Sequence, residues 1–139
     1  QAGGRRGITV ERVAINWMDA GIPDNIGQQP VDEPIAQDGP AAYFATLPVR
    51  AMVSTMRDAG LSAGISLSAG AFVCNHLMYG VLHYLEREQL PIHAGFIHLP
   101  YLPEQAGDKA GVPTMPLDDM VRGLVTALTA LIVAHTNTN

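Results

Sequence analysis

The chain has 139 residues, the size of one domain and enough to bury a single core. It is 47% hydrophobic and 15% charged with a mean hydropathy of +0.14, which excludes an acidic disordered tail. A net charge of −5 argues against a nucleic-acid or anionic-membrane binder, and a single cysteine excludes an internal disulfide and a Cys-rich zinc site.

The opening Gln1-Ala2-Gly3-Gly4 has no Met, so we expect a processed chain or a piece of something longer. Residues 7–16 carry β-branched Ile8, Val10, Val13 and Ile15, which suits a strand. Residues 25–40 are rich in Pro, Gly, Gln and Asp, the chemistry of turns. So long a loop is often functional. A helix is predicted after Thr46-Leu47-Pro48, with Val49, Met52, Val53 and Met56 on one face and a stop at Gly60. Residues 64–68 alternate like a short strand. A tight turn follows, and a second helical pattern starts at Cys74 and runs through Leu77, Met78, Val81, Leu82 and Leu85. Residues 94–98 form another short apolar strand. In the last third, Leu117, Met120, Val121, Leu124, Val125, Leu128, Leu131 and Ile132 keep a 3.6-residue period, with Asp118 and Asp119 complementing the dipole of the first turn. Met52, Met56, Met78 and Met120 read as core filler rather than a cofactor box. The apolar stretches 65–74 and 124–134 fall short of the ~20 residues that cross a bilayer. A lone cysteine fits a reducing, cytoplasmic setting.

Strands alternating with helices predict an α/β fold. We expect a three-layer α/β/α sandwich of the phosphorylase/hydrolase-like kind, around a mostly parallel twisted sheet and forming a single domain over 1–139.

The strongest chemical signal is Ser68-Ala-Gly-Ala-Phe-Val-Cys74-Asn75-His76. A strand ends, the chain turns at Gly70, and Cys74 falls where a helix begins. Unpaired N–H groups and the helix dipole stabilise negative charge there, both on a thiolate and on the oxyanion of a tetrahedral intermediate. A lone cysteine is most often a small buried hydrophobe, and that is the competing reading. A thiol nucleophile needs an imidazole to take and return a proton. His76 is too near in sequence to face Cys74, His83 lies too far along the helix, and His135 suits the dipole of the last helix. His93 precedes a strand and is expected to be exposed. His98 ends a strand, and functional groups gather at such ends in α/β sheets. A half-buried structural histidine is the competing reading.

Glu11, Asp19, Asp24, Glu33 and Glu104 are the candidates for a carboxylate that orients the imidazole. Glu11 leads, because a charge inside an apolar stretch is costly unless paired. An outward-facing place on an alternating strand remains open for it. Metal-ligand spacing is not recognisable, and Gly3-Gly4 is not a phosphate loop.

At these residues the chain resembles the pyroglutamyl peptidase I, or pyrrolidone-carboxylate peptidase, family. The carriers are Gln1-Ala-Gly-Gly-Arg5, Thr9-Val-Glu11-Arg-Val-Ala-Ile-Asn16, Ile22-Pro-Asp-Asn25, Gln29-Pro30, Gly39-Pro-Ala-Ala-Tyr43, Ala69-Gly-Ala-Phe-Val-Cys-Asn-His76 and Gly95-Phe-Ile-His-Leu-Pro-Tyr-Leu-Pro-Glu-Gln105. The resemblance implies a cysteine peptidase that removes N-terminal pyroglutamate from peptides, with no metal or organic cofactor. It places the nucleophile on Cys74, the histidine on His98 and the orienting carboxylate on Glu11. It sets the Gln1 main chain, Ile22, Phe72 and Val73 around the pyrrolidone ring. It also implies a homo-oligomer, for which Trp17 and Phe44 are candidate contacts. The family carries Arg where this chain has Gly21, and its opening strand with a Gly-Phe-x-Pro-Phe-Gly motif has no counterpart here. The chain therefore reads as the C-terminal two thirds of a longer domain. A non-catalytic relative serving as a binding or assembly module is the competing class.

Overall fold

A computed structural model describes residues 1–107 and 110–136. The elements in chain order are β1 (Ile8–Glu11), β2 (Val13–Ile15), β3 (Ala42–Phe44), α1 (Val49–Asp58), β4 (Ala63–Ser66), α2 (Val73–Arg87), β5 (Ile97–His98), α3 (Pro103–Ala106) and α4 (Leu117–Thr136). The chain divides into two compact units. One takes Gln1–Val10, Leu47–Ser66 and Ile97 onward; the other takes Glu11–Thr46 and Leu67–Phe96.

The first unit centres on the sheet order β4-β1-β5. Val49, Met52, Val53 and Met56 are all buried, so the predicted face of α1 is its packing face. Burying side chains of this size stabilises by roughly 1.5–3 kcal/mol each. α1 packs on α4 and on β4. The packing face of α4 differs from the expected one. Its buried residues are Met120, Gly123, Ala127 and Ala130, while Leu117, Val121, Val125, Leu128 and Ile132 stay 51–64% exposed. Small residues bring this helix close: a Cβ on Gly123 would run into Ile8 Cδ1. The apolar pattern spans a wider arc than the narrow stripe this contact covers.

The second unit pairs β2 with β3 and lays α2 against both. The buried face of α2 is Asn75, Met78, Tyr79 and Leu82. Of the expected face, Met78 and Leu82 are buried, while Leu77 and Val81 are 56% and 43% exposed. Asn16 orders the long loop. Its side chain accepts from Ala36 N at 2.9 Å and donates to the carbonyls of Ala36 at 2.7 Å and Gly39 at 3.1 Å. Tyr79 donates its hydroxyl to Pro40 O at 2.7 Å and stacks on His83, whose Nδ1 lies 3.0 Å from Tyr43 Oη. Burial raises the pKa of both tyrosines; Glu86 adds to the effect at Tyr43, and Tyr43 adds to it at Tyr79.

The α/β class holds, and all four methionines expected in the core are buried. Within that fold not every neighbour is parallel: the β1–β5 and β2–β3 ladders are both antiparallel. Parallel neighbours need a crossover, and no helix separates β2 from β3. Between α2 and β5 the irregular stretch 88–96 lets the chain reverse before pairing. The expected strand over 7–16 is also split, at Arg12, into β1 and β2 of different sheets.

Close approach at Gly7 yields a direct test. A Cβ there would run into the carbonyl oxygen of Ser62, the same oxygen that accepts from Ile8 N at 2.9 Å. Gly64, the second residue of β4, has room instead: a Cβ there would meet only Arg57 Nη2, at 4.0 Å. Gly7→Ala is expected to cost about 1–3 kcal/mol in urea denaturation, as overpacking does. Gly64→Ala should stay within about 0.5 kcal/mol of the parent. Equal stability of the two variants would contradict the packing described.

Candidate active site

The turn before α2 is closed by Gly70, at φ +84°, whose N–H donates to Ser68 Oγ at 3.1 Å. Phe72 is the N-cap residue and has no side-chain cap; its carbonyl takes the first helical bond, from His76 N at 2.9 Å. Cys74 is therefore the second residue of α2, among the N–H groups that no helical carbonyl satisfies. It is a free thiol of intermediate exposure.

Asn75, the next residue, is 1% exposed. Its Oδ1 accepts from Ile15 N at 2.9 Å. Its Nδ2 donates to Ile15 O at 2.9 Å and to Trp17 O at 3.1 Å. Three bonds to the end of β2 thus hold the first turn of α2 in place. Sequence reasoning passed over this residue. The available signal was a polar side chain in phase with Met78, Tyr79 and Leu82 on an otherwise apolar helix face.

Two cavities open beside the same turn. One, of about 720 Å³, is lined mainly by Ile22, Pro23, Ile26, Phe72, Val73 and Leu77. The other, of about 520 Å³, adds Met18, Gln28, Gln29 and Glu33; both share Asp24, Phe72, Val73 and His76. The structure therefore brings together Ile22, Phe72 and Val73, three of the four residues expected around a substrate ring. Gln1 lies in the first unit, where its Nε2 donates to Pro100 O at 3.3 Å and its Oε1 accepts from Gln105 Nε2 at 3.0 Å.

The other expected residues are buried. Glu11 ends β1 at 0% exposure, its N–H donating to Phe96 O at 2.9 Å. The outward-facing reading of Glu11 is thus corrected: Val10 and Glu11 are both buried, so alternation fails at the end of this strand. Asp19, Asp24, Glu33 and Glu104 are all exposed. His98 is 2% exposed and stands opposite Thr9 in the β1–β5 ladder. Of the other histidines, His83 meets Tyr43, His93 Nδ1 lies 3.0 Å from Thr46 O, and His135 is in the last turn of α4. Among the described residues no group of three or more His, Cys, Asp or Glu is placed to hold a metal ion. No described helix is long and apolar enough to cross a membrane.

The profile of the family described as pyroglutamyl peptidase matches residues 1–134. The chain belongs to the pyroglutamyl peptidase family. Pyrrolidone-carboxylate peptidase 1 of Caldanaerobacter subterraneus subsp. tengcongensis is 55% identical over 134 residues, which is 96% of this chain and 66% of that protein. The pyrrolidone-carboxylate peptidase of Yersinia pestis is 55% identical over 136 residues, 97% of this chain and 63% of the relative. The crystal structure of pyroglutamyl peptidase I from Bacillus amyloliquefaciens matches with a TM-score of 0.90 at 48% identity, covering 94% of this chain and 62% of that one. The pyrrolidone carboxyl peptidase from Thermococcus litoralis matches with a TM-score of 0.93 at 42% identity, covering 98% and 64%. These matches establish the α/β fold of the family for this chain. The chain spans 63–66% of the length of the curated relatives named.

The Asn75 bonds can be tested without any assay of function. Asn75→Ala removes the partner of the Ile15 N–H and of the Ile15 and Trp17 carbonyls. Its expected cost is about 2–4 kcal/mol in chemical denaturation. Asn75→Asp keeps the acceptor but points a carboxylate at two carbonyl oxygens, and should be destabilised as well. Full stability in both variants would show that the amide does not hold the turn.

Proposed function

We propose that this chain carries the catalytic residues of a cysteine peptidase that hydrolyses the N-terminal pyroglutamyl residue from peptides. The observation that supports this most is Cys74 in the first turn of α2, immediately after Phe72 and Val73, which line an apolar cavity with Ile22. A compact neutral lactam suits an apolar, aromatic-walled slot with a few polar anchors. The names of the relatives supply the same substrate class.

In this mechanism His98 takes the Cys74 proton and Glu11 holds the imidazole in the required tautomer. The thiolate attacks the pyroglutamyl carbonyl carbon, and N–H groups at the start of α2 receive the oxyanion. One such donor is worth roughly 10²–10³ in rate. His98 returns the proton to the departing amine as the C–N bond breaks. Water, deprotonated by His98, then attacks the thioester, and Cys74 leaves as the thiolate. The full burial of Glu11 and His98 supports an orienting and proton-transferring pair, since water would compete for the same hydrogen bonds. The Gln1 main chain would read the lactam N–H and C=O. The reaction as proposed uses neither metal nor organic cofactor.

The whole of 1–139 is proposed to belong to one peptidase domain that works in the cytoplasm as a homo-oligomer. Trp17 and Phe44, 39% and 70% exposed, are available as contacts. Its partners are peptides that begin with pyroglutamate.

Cys74→Ser should lower kcat/KM for a pyroglutamyl-amide substrate by at least about 10³-fold while leaving thermal stability unchanged. Undiminished turnover by the serine variant would overturn the assignment.

A further inference from the structure

We infer that the 520 Å³ cavity receives the side chain of the residue following pyroglutamate and favours a cationic one; this rests on the peptidase reading above. The two cavities meet at Phe72 and Val73, directly before Cys74. In the proposed binding mode the ring occupies the apolar cavity, and the next residue enters the second cavity across the shared Phe72–Val73 wall. That cavity is lined by Asp24 and Glu33, by the amides Gln28 and Gln29 and by His76, with no Lys or Arg. Asp24 and His76 are shared with the apolar cavity, so Glu33 is the acidic residue particular to this one. Met18 and Phe72 supply apolar surface for the methylene stem of a lysine or arginine, and the Phe72 ring face suits a cation.

Much of this wall is held by hydrogen bonds within the protein. Asp24 Oδ1 accepts from Ile26 N and Gln28 N, both at 2.9 Å. Gln29 Nε2 donates to Ala20 O at 2.8 Å. Glu33 is fixed through its main chain, which exchanges hydrogen bonds with Met18 at 2.7 and 3.1 Å. Ala71 O accepts from Asp19 N at 2.7 Å, joining the turn before α2 to the same wall. Preorganisation of this kind lowers the ordering cost of binding. Both carboxylates are exposed, so their attraction is modest and is screened by salt.

The test measures kcat/KM for pyroglutamyl dipeptide amides with Arg, Gln or Glu in second place, beside pyroglutamyl-aminomethylcoumarin, which has no side chain there. The expected order is Arg over Gln over Glu. The Arg-to-Glu ratio should be about three- to tenfold in low salt and shrink in high salt. Glu33→Gln should reduce that ratio, and Glu33→Lys should bring it to one or below. An unchanged ratio in both variants, or no charge preference in the parent, overturns the subsite while hydrolysis of the coumarin amide upholds the peptidase. Failure to hydrolyse any pyroglutamyl amide, coumarin included, overturns both.

Discussion

The side-chain amide of Asn75 is the constraint on which the candidate site depends. It is buried, it makes three hydrogen bonds, and all three go to the main chain at the end of β2. A buried amide left unbonded would be expensive, so the arrangement tolerates little displacement. Because Asn75 directly follows Cys74, this ties the main chain that carries the thiol to the β2 region. The N-cap residue contributes no side-chain bond. The helix start is therefore positioned by tertiary hydrogen bonds, and its main-chain donors are left for other acceptors.

The same economy runs through the long loop. Asn16 holds residues 36 and 39, Tyr79 holds residue 40, and Gln29 holds residue 20. Each is a polar side chain satisfying main-chain groups that no sheet or helix serves. Loop walls built in this way keep cavities open, where an apolar collapse would close them. The two cavities by α2 share Asp24, Phe72, Val73 and His76 and differ in the rest of their walls: one adds Ile22, Ile26 and Leu77, the other Glu33, Gln28 and Gln29.

How much of this was legible depended on whether one contact decided each pattern. The face of α1 was legible because Val49, Met52, Val53 and Met56 answer to a single apolar environment. The face of α4 was not, since large apolar residues surround most of that helix and the buried stripe, beyond Met120, consists of the small residues Gly123, Ala127 and Ala130. Cys74 was placed near a helix start from Gly70 and the preceding strand alone. The burial of Glu11 could not be read from alternation, because the strand ends there and its last two residues are both enclosed. The antiparallel ladders depend on where the irregular stretches 16–41 and 88–96 reverse, which local composition does not encode. The family motifs led to Ile22, Phe72 and Val73, which line one cavity, whereas Asn75 and Asn16 reveal their roles only through their hydrogen bonds.

The central claim is that Cys74 is a reactive thiol beside a recess for pyroglutamate. It is tested most directly by the rate of iodoacetamide alkylation near neutral pH, with and without a non-hydrolysable pyroglutamyl analogue. A catalytic Cys74 reacts much faster than an unstructured cysteine peptide, and the analogue protects it. A slow reaction that the analogue does not change would contradict the account.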